Sequence, residues 1–129
     1  MTKEEALFEF WSSFGLKAYE ENAVPTGDRA PNFPYITYQV VTDSFGSEVP
    51  MSASVWDRKR PGYSATQAND KKADEISRSI SRGGKILPYG GGAIWLKRGT
   101  NFAQSMGDDS DDMIRRKLLN ITAEFISND

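Results

Sequence analysis

Phe33-Pro34-Tyr35-Ile36-Thr37-Tyr38-Gln39-Val40-Val41-Thr42-Asp43 is the stretch whose reading decides the fold. Aromatic and β-branched side chains fill it, and these pack well on a pleated surface. Its even positions (Ile36, Tyr38, Val40, Thr42) are more apolar than its odd ones (Tyr35, Thr37, Gln39, Val41), so the even set is expected to face a core. Pro34 has no N–H to give a ladder and fits the start of a strand. The stretch therefore predicts the strand that anchors the sheet. Downstream, Ser44-Phe45-Gly46-Ser47 is a turn signal and Val49–Trp56 a second strand, which together make a hairpin. Asp57 to Gly62, with Arg58-Lys59-Arg60, then leaves the sheet as a basic loop.

Upstream, Pro25, Gly27, Asp28, Pro31 and Asn32 mark residues 23–34 as a loop, either a rigid crossover or an arm reaching a neighbour. Leu16 to Glu21 is expected as a short edge strand. Thr2 to Phe14 reads as a helix: Thr2 caps it, Glu5 completes a capping box, and Leu7, Phe10, Trp11 and Phe14 share one stripe. Gly15 suits the left-handed stop. The acids Glu4, Glu5 and Glu9 turn this stripe toward a core and away from an anionic lipid surface.

Further on, Ser64 to Ser81 is the second helix, its thin stripe made by Ala65, Ala68, Ala73, Ile76 and Ile80, with Gly83-Gly84 as its end. Lys85–Leu87 and Ala93–Arg98 are expected as strands around the turn Pro88-Tyr89-Gly90-Gly91-Gly92. Residues 99–112 read as a long loop ending in Asp108-Asp109-Ser110-Asp111-Asp112. Met113–Ile126 reads as the last strand, with Leu119, Ile121, Ala123 and Phe125 on one face. Its opening Arg115-Arg116-Lys117 is too charged for burial, which predicts a strand that projects beyond the core or lies at an edge. The order helix, strands, helix, strands predicts an α+β fold: a mostly antiparallel β-sheet with two α-helices packed on one face.

The chain of 129 residues suits one domain spanning 1–129, with 38% apolar and 26% charged content. It contains neither Cys nor His. That excludes disulfides, thiol nucleophiles and zinc or iron–sulfur ligation, and removes the side chain best suited to proton transfer near neutral pH. A net charge of -2 argues against coating nucleic acid. No apolar run is long enough to span a membrane, and the acidic first residues do not resemble a signal peptide, so folding in a cytoplasm is expected.

Asp108, Asp109, Asp111 and Asp112 form the one dense acidic cluster. They lack the ligand spacing of an EF-hand loop, and neighbouring positions on one loop converge poorly on the metals of a nuclease. A solvated or partner-facing loop suits them better. Cations stand close by in sequence at Arg115 and Arg116, and recur at Lys97-Arg98 and Arg58-Lys59-Arg60. Patches of opposite sign on different edges let copies bind head to tail and close a ring. Tyr35, Tyr38 and Trp56 could stack single-stranded nucleic acid, but core and cross-strand packing explain them more simply.

Five strings carry a resemblance: Phe-Trp-Ser-Ser-Phe-Gly-Leu (10–16), Ala-Val-Pro-Thr-Gly-Asp (23–28), Phe-Pro-Tyr-Ile-Thr-Tyr (33–38), Gly-Gly-Ala-Ile-Trp-Leu-Lys-Arg-Gly (91–99) and Gly-Asp-Asp-Ser-Asp-Asp-Met-Ile-Arg-Arg (107–116). The chain resembles the tail terminator, or tail completion, proteins of long-tailed phages and prophages of Gram-positive bacteria, often labelled minor capsid proteins. The resemblance implies a structural protein without catalytic residues or cofactors. It implies a homo-oligomeric ring, typically of six copies, at the head-proximal end of the virion tail. There the ring would stop tube polymerisation and offer the surface that joins the head. Its partners would be further copies of itself, the major tail tube protein and a head-completion protein, with no membrane and no specific nucleic acid. Contact surfaces would fall on 22–34, 57–63 and 99–117. A head-completion or connector protein of the same junction is the alternative.

Overall fold

The computed structural model describes residues 1–40, 48–107 and 111–127. Two helices lie on one face of a six-stranded, mostly antiparallel sheet, the α+β arrangement expected. Helix α1 spans Lys3–Trp11 and continues as a single tight turn through Phe14. Its capping box is complete: the Glu5 amide donates to Thr2 Oγ1 at 3.1 Å, and the Thr2 amide donates to Glu5 Oε1 at 3.2 Å. Gly15 ends it with φ 81. Helix α2 spans Ala65–Ile80, capped by Ser64, whose Oγ accepts from the Gln67 amide. The residue that leaves the helix is not the expected glycine pair but Ser81, at φ 64.

The strands are β1 (Ala18–Glu20), β2 (Tyr35–Tyr38), β3 (Glu48–Arg58), β4 (Lys85–Tyr89), β5 (Gly92–Gly107) and β6 (Ile114–Ser127). They are ordered β1-β2-β3-β6-β5-β4, with β1 parallel to β2 and every other pair antiparallel. Within the opening stretch the strand covers only Tyr35–Tyr38, and the expected burial of the even positions holds, with Ile36 at 0% and Tyr38 at 4% exposure. Its expected place as anchor does not hold. It lies second from an edge, while β3 and β6, paired over eleven residues from Glu48↔Glu124 to Arg58↔Ile114, form the centre. Residues 41–43 and the turn expected at 44–47 lie outside the described residues.

Alternation sorts the side chains. Val49, Met51, Ala53 and Val55 of β3, Leu119, Ile121, Ala123 and Phe125 of β6, and Ile94 and Leu96 of β5 are buried beneath Leu7, Phe10 and Trp11 of α1 and Ala73, Ile76 and Ile80 of α2. Each Val, Leu, Ile, Met or Phe side chain among them is worth about 1.5–3 kcal/mol when removed from water. α1 packs over β1 and β4, α2 over β3, β5 and β6, and Trp11 stacks on Tyr38 at 6.2 Å. Neither α1 nor α2 lies on the opposite sheet face.

Register overturns one expectation and decides between the two alternatives of another. The loop expected at 99–112 is strand through Gly107, because β6 continues past the core and pairs with it from Ala103↔Leu119 to Gly107↔Arg115. Residues 99–102 form a bulge that opposes Asn120 alone, and Asn120 Nδ2 donates to the Asn101 carbonyl at 2.8 Å. Of the two places expected for the charged start of β6, the strand takes the one beyond the core and not the edge. It runs between β3 and β5, and Arg115, Arg116 and Lys117 are half-buried there because each is given partners.

Candidate interaction surface

The charged residues singled out from the sequence fall into three places. The first is the end of the sheet where β3 finishes and β6 begins. Arg58 lies within β3 rather than in the expected loop. Its Nη1 meets Asp111 Oδ2 at 2.5 Å, and the other oxygen of Asp111 accepts from the Met113 amide at 2.9 Å. Those two bonds, the amide first, hold the Asp111 carboxyl below the ordinary carboxylate range. The Lys59 amide donates to the Met113 carbonyl at 2.7 Å, so the basic stretch and the acidic turn are sewn together. Arg60 lies over the Tyr63 ring at 3.8 Å. Arg115 Nη1 donates to the carbonyls of Asp112 and Ile114. Asp108 and Asp109 lie outside the described residues.

Behind this rim stands Asp57, inside β3 and not in the expected basic loop. It is the last inward residue of β3 and is fully buried. The Tyr63 hydroxyl donates to one of its oxygens and the Arg58 amide, at 2.8 Å, to the other. Burial, then the bond to Asp57, raises the Tyr63 pKa above that of an ordinary phenol. The pair closes the 57–63 loop from within; alternation along β3 was the signal that could have placed Asp57 inside.

The second place is the open sheet face. Tyr35↔Trp56↔Arg116 is one row of register partners across β2, β3 and β6. Tyr35 stacks on Trp56 at 6.4 Å, Arg116 lies 4.8 Å from the Trp56 ring centre, and Arg116 Nε donates to the buried Ser54 Oγ at 2.8 Å. Tyr19 and Phe33 extend the aromatic cluster at 6.1 and 5.3 Å from Tyr35. These rings engage one another and Arg116, and Tyr38 is buried on the helix side, so the three proposed stacking residues do not share a platform. Lys97 sits on the same open face, paired with Glu48 at 2.5 Å and 4.0 Å from the Trp95 ring centre.

The third place is the side of α2. Arg98 Nη1 donates to Ser77 Oγ at 3.0 Å, and Lys117 bridges Asp70 of α2 at 2.7 Å and Ser105 Oγ at 3.1 Å. A cleft of about 240 Å³ opens between Thr66 and Asn69 of α2 and Ser105, Gly107 and Arg115 of the sheet. Asn69 stitches its wall, donating to the Arg115 carbonyl at 3.2 Å.

Most of the cations therefore hold intramolecular partners. Lys59 is exposed, with no ion-pair partner for its ammonium among the described residues. Also among the described residues, no three Asp or Glu side chains converge as a metal site would require. What the rim at 57–63 and 111–116 can do chemically is present fixed charges of both signs, with cations and carboxylates held within one turn of each other. No family model, curated protein or solved structure matches the chain.

Proposed function

We propose that the protein is a non-enzymatic tail terminator, a ring of copies, six in number, that caps a phage tail tube, halts its growth and presents the head-joining surface. The observation that carries this reading is the set of five motif strings between Phe10 and Arg116. Its consistency with the molecule rests on the charged rim, where Arg58, Lys59, Arg60, Asp111, Asp112 and Arg115 gather at one end of the sheet. A surface with both signs of charge steers copies together and fixes their register. Neither a nucleophile with its base nor a metal-binding group is needed for such a role.

Electron microscopy of tails assembled without this protein tests the proposal. Overlong, headless tubes are expected. Headed tails of normal length would sink it, and finding the protein on DNA-filled heads that lack tails would assign it to the connector instead. Lys59→Glu, at an exposed cation with no ion-pair partner among the described residues, is expected to weaken ring formation or tube docking while the fold persists.

A further inference from the structure

Among the described residues several stretches of strand edge have no neighbouring strand, and they are built differently; one, the start of β3 beyond β2, carries Glu48 and Pro50. β1 is three residues long, ends on Glu20 and is hemmed by single tight turns on both sides. β4 carries Lys85 and Pro88, and beyond it the Gly90 amide is taken by the Met1 carbonyl at 2.8 Å. Short length, charge and proline are the devices by which sheets discourage edge pairing. Another stretch is the outer side of β5 beyond Leu96, where the pairing with β4 ends. From Gly99 to Gly107 it contains no Lys, Arg, Asp, Glu or Pro, although charged residues make up 26% of the chain. Residues 103–107 are all exposed, and no described strand covers their outer side.

We propose that residues 103–107 of β5 pair, edge to edge and antiparallel, with the same residues of a second copy about a two-fold axis at Ser105. The regular ladder with β6 runs from Ala103 to Gly107, and Ser105 is its midpoint. In that register Gln104 opposes the partner's Met106 on the open face, and Ala103 opposes the partner's Gly107 on the helix side. Backbone groups with no partner on the outer side gain hydrogen bonds, and no like charges meet along the strand. In the second copy the edges β1 and β4 and the start of β3 carry the devices against pairing, so the unprotected edge selects its own equivalent. An isologous contact of this kind closes at two copies. It occupies part of the 99–117 stretch and is a state of the free protein, separate from any ring on a tube.

Light scattering and amide hydrogen exchange test the pair. Wild-type protein is expected to reach twice the 14.4 kDa chain mass as concentration rises, with exchange at 103–107 slowing in step. The double substitution Gln104→Lys with Met106→Lys sets like charges opposite each other twice and is expected to weaken dimerisation roughly tenfold. Gln104→Lys with Met106→Glu sets opposite charges there and is expected to restore it. A single-chain mass at millimolar concentration overturns the proposal, as does a dimer indifferent to the double lysine. A six-chain mass that survives the double lysine overturns the edge pair and leaves the terminator reading standing. Should a variant fail to fold, the concentration dependence of wild-type exchange at 103–107 decides alone.

Discussion

The two halves of β5 belong to one strand and share one partner, β6, yet they live in different surroundings. The proximal half, Gly92–Arg98, is flanked by β4 through Leu96, and its Ile94 and Leu96 are fully buried with the helices above them. The distal half, Ala103–Gly107, has β6 on one side, no described strand on the other, and every residue exposed. The first is strand because its side chains demand a core. The second is strand because β6 offers it a ladder. Intrinsic character made the first half readable and concealed the second.

Substitutions can break this contrast. Leu96→Ala, emptying a fully buried site, is expected to lower unfolding free energy by about 2–5 kcal/mol, whereas Met106→Ala, 37% exposed, is expected to change it by less than about 0.5 kcal/mol. Similar losses in denaturant titrations would show the two halves to be one core.

The glycines at the ends of β5 repeat the test on the backbone. A Cβ on Gly92 would fall 1.8 Å from the Ile126 carbonyl oxygen, while one on Gly107 meets nothing within 4 Å. Gly92→Ala is expected to cost about 2 kcal/mol or more because the backbone of β6 must move, and Gly107→Ala about 0.5 kcal/mol or less. Melting curves of the two variants, compared directly, decide it.

Smaller effects sharpen the contrast. Thr2→Ala removes the α1 cap and is expected to cost about 1 kcal/mol, with amides at the start of α1 exchanging faster while those at 103–107 stay as they were. At the mouth of the β5–β6 hairpin, the effect is one of pH. Asp111 titrates lower when folded than its ordinary value, so its stabilising bonds to Met113 and Arg58 are fully present above the ordinary Asp pKa. They are lost as pH falls through the lowered folded value. Exchange or NMR shifts at Met113 and Arg58 are expected to report this opening in acid and to be abolished by Asp111→Asn; a mouth that opens equally in that variant contradicts the assignment.

Reading the fold from sequence succeeds where a local rule coincides with a packing demand. Thr2 and Glu5 announce a capping box and form one; Ile36 and Tyr38 alternate with polar neighbours and are buried. The reading fails where pairing decides. Gly99, Thr100 and Asn101 belong to the expected loop, yet they lie in a bulge because Asn120 opposite holds Asn101 in place. Arg115 to Lys117 look unfit for an interior strand, yet Trp56, Ser54, Asp70 and Ser105 from other segments receive Arg116 and Lys117. The candidate surface behaves the same way. Its charges are visible as strings, but the meeting of Arg58 with Asp111, fifty-three residues apart, is a product of register.

Sequence alone determined the α+β class, both helices with the N-terminal cap of the first, the buried faces of β2 and β6, and the five strings that suggest a role. These depend on short-range periodicity and side-chain chemistry, which travel with the chain. Tertiary structure alone decided that Tyr35–Tyr38 flanks the sheet while β3 and β6 form its centre, that Asp57 is inside, and that β5 runs on to Gly107 with an unprotected edge. Strand order and register depend on contacts between residues distant in sequence, and no local pattern encodes which strand will lie beside which.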